Sequence, residues 1–170
     1  MNKTAILASE DREKLWDLIK DIKFGMLTHR HSSGIMHSCP LTTQNKELDE
    51  DSILYFFISH KSEMATALLT DANVNVSYAH PGDDSYVSVS GKAAIAEDQA
   101  KKEELWSSFA KVWFPAGVND PDLALLEVRI HHAEYWDVKE SKMVQLVKMA
   151  TAAVTGKQPH LGEHKELNFS

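Results

Sequence analysis

The chain holds one cysteine, Cys39, among 170 residues. A single thiol excludes an internal disulfide and fits a reducing, cytoplasmic compartment. Long apolar runs are missing as well, and the longest present are far too short to span a membrane. The opening, Met1-Asn-Lys-Thr-Ala-Ile-Leu-Ala-Ser-Glu10, has one basic residue and a very short apolar run before acidic residues, so it does not read as a secretory signal. Positive charge is in deficit: 18 Lys and Arg face 25 Asp and Glu, a net −7 with the histidines neutral. Without a basic stripe, nucleic acid is not an expected partner. A bound anion would need locally placed donors, because the overall field repels it. There is no Gly-rich loop of the Walker or Rossmann kind, no Gly-x-Ser-x-Gly elbow and no zinc-finger spacing. No repeat, low-complexity segment or linker divides the chain, and its length suits one domain with a sizeable core.

What is present alternates mostly with period two. Leu15, Leu18, Ile19 and Ile22 predict an amphipathic helix over 9–23. Strands follow over 24–29 and 35–43, joined by the turn His31-Ser-Ser-Gly34 into a hairpin. After a polar turn at 45–51 come a third strand over 52–58 and a short helix over 62–69, with Met64/Leu68 and Ala65/Leu69 as its buried stripe. Val74, Val76 and Tyr78 mark a fourth strand, His80-Pro-Gly-Asp-Asp84 a turn, and residues 86–95 a fifth strand. Gly91 inside that run signals a bulge or a close backbone approach. A helix is predicted over 97–113, a turn-rich loop over 114–121 and a long strand over 123–138, bent near His131-His132. A last helix over 141–155 is predicted to pack on Met143, Val147, Ala150 and Val154, before a polar tail over 156–170. Strands joined by short turns favour an antiparallel sheet or small barrel with peripheral helices.

The richest stretch runs from Leu54 to Leu69. An apolar, aromatic strand ends in Ser59-His-Lys-Ser62, and Ser62 stands where a helix N-cap belongs. Two hydroxyls, the Lys61 ammonium and the free N–H groups of a helix start make a cradle for a phosphate; the alternative is an ordinary capped helix with Lys61 solvated. His29-x-His31 puts two imidazoles on one strand face, without a matching carboxylate or thiolate cluster for a metal, so no metal site is assigned. Cys39 could act as a nucleophile with His37 on the same face, or be a half-buried small apolar residue. Trp106, Trp113, Phe114 and Trp136 either pack as core or, at Trp113-Phe-Pro, cover a planar ligand or a partner subunit.

Together these pieces resemble the flavin-binding split-barrel proteins related to pyridoxamine 5′-phosphate oxidase, in the general stress protein 26 branch. The resemblance is carried by Phe24-Gly-Met-Leu-Thr28, Leu54-Tyr-Phe-Phe-Ile-Ser59 with Ser62, and Tyr86-Val-Ser-Val-Ser-Gly91. Leu105-Trp106, Val112-Trp-Phe-Pro115, Asp120-Pro-Asp122 and Ala133-Glu-Tyr-Trp-Asp137 continue it. It implies a mainly β chain: a six-stranded antiparallel Greek-key split barrel with flanking helices over 1–155, followed by the tail at 156–170. It also implies a homodimer with FMN in a groove at the interface. Carried over residue by residue, the FMN contacts fall on Ser38, Cys39, Pro40 and Leu41 of the second strand and on Phe57, Ile58, Ser59 and Ser62 around the end of the third. Trp113 is implied as a cover from the other subunit. The family often has Arg-Pro-Met where Cys39-Pro-Leu41 stands, and Lys where Met64 stands. Lys61, at the same helix entrance, compensates in part.

The resemblance implies a small FMN-dependent oxidoreductase with a stress role. The isoalloxazine would do the chemistry, and the protein would supply position and exclusion of water. No side chain stands out as acid or base; His37, Thr28 and Lys61 are the candidates. The alternatives are a non-catalytic module that stores or senses flavin, and a haem- or deazaflavin-binding relative on the same barrel. Pyridoxamine 5′-phosphate oxidase activity would need donors for a second phosphate, and no Arg/Lys cluster supplies them.

Overall fold

The structure, a computed structural model, describes residues 3–138 and 140–169, with side chains from residue 9 onward. The first two residues of the opening read above as no secretory signal, and the last residue of the tail, lie outside that range. Helix α1 spans Lys3–Ile22, and Lys23, at a positive φ of 61°, turns the chain into β1 (Phe24–Arg30). Then follow β2 (Met36–Thr42), β3 (Ile53–Ser59), α2 (Glu63–Ala67), β4 (Asn73–His80) and β5 (Ser85–Ala96). The second half holds α3 (Gln99–Leu105), β6 (Leu123–Asp137), α4 (Lys142–Thr155) and β7 (Glu163–Asn168).

The six strands β1 to β6 form one antiparallel sheet in the order β2-β1-β4-β5-β6-β3, the antiparallel arrangement that the short turns favour and the split barrel that the resemblance implies. The path ends at β2 and β3, and a lone bridge between Thr43 and Phe56 links these ends across the seam. Alternation along each strand turns Leu27, Phe56, Val76, Val89 and Leu126 inward, where Leu15 and Ile19 of α1 join them, all fully buried. The polar tail returns to the sheet: β7 pairs with β6 from His132↔Asn168 to Asp137↔Glu163 and buries Leu167.

The bend expected in the long strand is present. Ser90 pairs with His132 and Gly91 with Ile130, so His131 is the extra residue of a bulge. A Cβ at Gly91 would lie 2.0 Å from the carbonyl oxygen of Arg129, which is why a glycine stands there.

Three expectations about helices are corrected. The helix predicted over 97–113 stops at Leu105, because Trp106 turns extended and lays its ring against Phe57, 5.9 Å between centroids. In the rest of that range one 3-10 turn, Ala110–Val112, forms, and Phe109, Val112 and Trp113 are exposed. Leu69 lies past the end of α2 and is exposed, whereas Met64, Ala65, Ala67 and Leu68 are buried. Helix α4 forms where predicted, between the Ser141 N-cap and left-handed Gly156, but Met143, Val147 and Val154 face outward. Its first half is held by polar contacts instead, Lys142 to Asp84 and Lys148 to Glu140.

Candidate functional site

Opposite ends of the sheet path meet at the seam, and a cavity of about 270 Å³ opens there. Strand β2 contributes His37, Cys39 and Leu41, alternate residues that share one face. The end of β3 contributes Ile58 and Ser59, α2 and its cap contribute Ser62, Glu63 and Met64, and β1 contributes His29. Five residues carried over from the resemblance therefore line one cavity: Cys39, Leu41, Ile58, Ser59 and Ser62. Ser38 and Pro40 lie on the other face of β2, and Ser38 shares a 2.6 Å hydrogen bond with Thr28. Phe57 faces away and packs on Trp106. Lys61 is exposed on the turn, and Trp113, 76 % exposed, does not line the cavity of its own chain.

The turn after β3 binds a carboxylate of the protein itself. The Ser59 hydroxyl donates to Asp122 Oδ2 at 2.7 Å. The Lys61 amide donates to Ser59 Oγ at 3.1 Å and to Asp122 Oδ1 at 3.3 Å, and the His60 amide to the Asp122 carbonyl at 2.8 Å. The Ser59 hydroxyl, helped by the Lys61 amide and nearby positive charge, holds the Asp122 carboxyl below its usual range. Ser62 Oγ accepts from the Ala65 amide at 3.2 Å, the N-cap bond read from its position. The Ser62 amide donates to Ser59 O, so of the helix-start amides those of Glu63 and Met64 have no partner within the helix.

A second feature lies deeper. His29, 1 % exposed, makes a 2.9 Å hydrogen bond from Nε2 to Glu63 Oε2. The Ser32 hydroxyl and amide donate to Glu63 Oε1 at 2.6 and 2.8 Å, and His31 Nε2 lies 3.6 Å from the same oxygen. The Ser32 hydroxyl first, then His29 and the Ser32 amide, pull the Glu63 carboxyl down to about 2. His29 Nδ1 is buried with no hydrogen-bond partner among the described residues. The His37 ring stands edge-on to it at 5.6 Å. The pairing of His29 with Glu63 was not readable from the sequence, because 34 positions separate them and only the packing of α2 on β1 unites them. The His29-x-His31 spacing was the one signal that pointed there.

The Cys39 thiol is pushed up by burial, which disfavours the thiolate a nucleophile needs. No group of three or more His, Cys, Asp or Glu side chains is placed to hold a metal ion among the described residues. A larger cleft of about 760 Å³ lies between α1, the His80–Asp84 turn and the start of α4. Its charged groups are mainly acidic, and Lys14 and Lys142 pair with Asp137 and Asp84 there.

Residues 10–160 match the sequence model of the family described as "Pyridoxamine 5′-phosphate oxidase like". General stress protein 26 of Bacillus subtilis is 28 % identical over 138 residues, which cover 79 % of this chain and 94 % of that protein. Among solved structures, a general stress protein 26 from Jannaschia sp. CCS1 superposes with a TM-score of 0.74 at 23 % identity, covering 95 % of this chain and 99 % of its own. A general stress FMN/FAD binding protein from Xanthomonas citri gives 0.65 at 29 % identity, covering 79 % and 92 %.

Proposed function

Because the chain belongs to the pyridoxamine 5′-phosphate oxidase-like family, in its general stress protein 26 branch, we propose that it binds FMN at the β2–β3 seam and acts as a small flavin-dependent oxidoreductase with a general-stress role. The observation that carries this reading is the cavity itself, which gathers Cys39, Leu41, Ile58, Ser59 and Ser62 from two strands and a helix cap. A buried, unpartnered ring nitrogen in its wall suits a polar ligand rather than a packed core.

Ser38, Pro40 and Phe57 then frame the site from the strand backbones, and Trp113 covers it from a second copy of the chain. The phosphate end takes the Lys61 ammonium and the first-turn amides of Glu63 and Met64. Asp122 opposes it with a negative charge, so Lys61 carries most of the compensation. A bound flavin supplies hydride and electron transfer; the protein's part is position, hydrogen bonds and exclusion of water. The X. citri relative, an FMN/FAD binding protein, supports the ligand class.

The absorption spectrum of the purified protein tests the ligand: flavin bands, or their appearance on FMN titration, support it, and no binding at all refutes it. Reduction of bound FMN by NADH or NADPH in a stopped flow tests the enzyme. If no nicotinamide donor reduces it, the oxidoreductase reading gives way to that of a flavin store or sensor.

A further inference from the structure

Glu63 is an ionised carboxylate and can only accept, so the hydrogen bond it shares with His29 must be donated by Nε2–H. In the neutral ring Nδ1 is then left as a bare acceptor. That acceptor is buried, belongs to a residue that is 1 % exposed, and has no partner among the described residues. A buried acceptor left unmet costs its full desolvation penalty, and here its ring forms part of a cavity wall. Leu41, Ile58, Met64 and Cys39 make the rest of that wall largely apolar. We infer that His29 is a further ligand-binding residue, whose Nδ1 accepts a hydrogen bond from an N–H or O–H of the ligand that fills the cavity. Glu63 is its positioning residue, fixing the tautomer, and Ser32 fixes Glu63 in turn.

The class of ligand follows from the wall. It presents apolar or aromatic surface to Leu41, Ile58 and Met64 and one donor to His29. A flavin meets both demands, with a ring imide N–H and ribityl hydroxyls. The inference rests on the reading that a flavin occupies this cavity, and it adds an acceptor that the resemblance did not assign.

Nitrogen NMR of the ¹⁵N-histidine-labelled full chain tests it, with FMN as the probe and His29→Gln identifying the His29 signals. In flavin-free protein Nε2 should resonate as protonated and Nδ1 as unprotonated. Saturation with FMN should move the Nδ1 signal toward the protonated range. His29→Phe should weaken FMN about tenfold, the size of one lost hydrogen bond; if that variant does not fold, the wild-type shift decides alone. Glu63→Gln should raise the Nδ1–H fraction and weaken FMN with it; an unchanged tautomer overturns the positioning role. FMN bound with the Nδ1 signal unmoved, or an Nδ1 already protonated without flavin, overturns the inference and leaves the flavin reading intact. No flavin difference spectrum from the wild-type protein overturns both.

Discussion

Asp122 decides how an anion meets the turn after β3. Its carboxylate already takes the Ser59 hydroxyl and the Lys61 amide, so an incoming phosphate faces a fixed negative charge. Asp122→Asn should therefore tighten FMN severalfold and leave riboflavin, which has no phosphate, unchanged; equal changes for both ligands in parallel titrations would locate the phosphate elsewhere. Lys61→Ala should do the reverse, weakening FMN by an amount that shrinks at high salt. Ser62→Ala removes the α2 cap, an expected loss of about 1 kcal/mol of stability, and should weaken FMN by about 1–2 kcal/mol if the cap also orders the phosphate donors. Glu63 gives a pH signature. Its carboxyl lies at about 2 against an ordinary 4.5, a depressed folded-state value. The stability it contributes is therefore fully present above 4.5 and is lost as the pH falls through about 2. Urea melts of wild type and Glu63→Gln should differ above that window and converge at its lower end. Ser62 was legible as a helix cap because it precedes an apolar helix, whereas Cys39 and Leu41 were pointed to only by the family resemblance. Asp122 and Glu63 were not read as partners, since each meets its donors only through long-range pairing.

At the level of elements, local pattern carried furthest where a strand has one buried face. The alternation in β4 and the break at Gly91 both correspond to observed features, because period two and the lack of a Cβ are local facts. Gly91→Ala should cost about 1–3 kcal/mol in thermal unfolding, as overpacking does, since its Cβ would meet the Arg129 carbonyl. A variant as stable as wild type would show that the bulge can slide. Pattern failed where a tertiary contact outweighed helical spacing. Trp106 leaves the helix for Phe57, and α4 keeps an apolar face that the described barrel does not bury. Residues 163–168 are too polar to read as a strand, yet they pair along β6 and cover Ala133 and Tyr135, which are almost fully buried. Their pairing is a matter of backbone hydrogen bonds, to which side-chain polarity gives little clue. Truncation after residue 161 should lower the melting temperature by exposing that face; an unchanged melt would make β7 dispensable.

For the whole molecule, the distribution of exposed apolar surface bears on assembly. Phe109, Val112 and Trp113 cluster around one 3-10 turn, and Met143, Leu146, Val147 and Val154 project from α4. Large side chains gathered on an exterior in this way are costly to leave wet, and burying them against a second copy would recover roughly 25 cal/mol per Å². The proposed homodimer also explains why Trp113 lies outside its own cavity: as a cover it would serve the other copy. Each chain carries a net −7, so two copies repel, and screening that repulsion should favour the pair. Light scattering of the FMN-loaded protein should then give twice 19.1 kDa, with the dimer more resistant to dilution at high salt. Trp113→Ala should keep the fold, because an exposed side chain supports no core, while loosening both the dimer and FMN. A flavin-loaded monomer, or a Trp113→Ala dimer with FMN affinity intact, would place the cover of the cavity within a single chain.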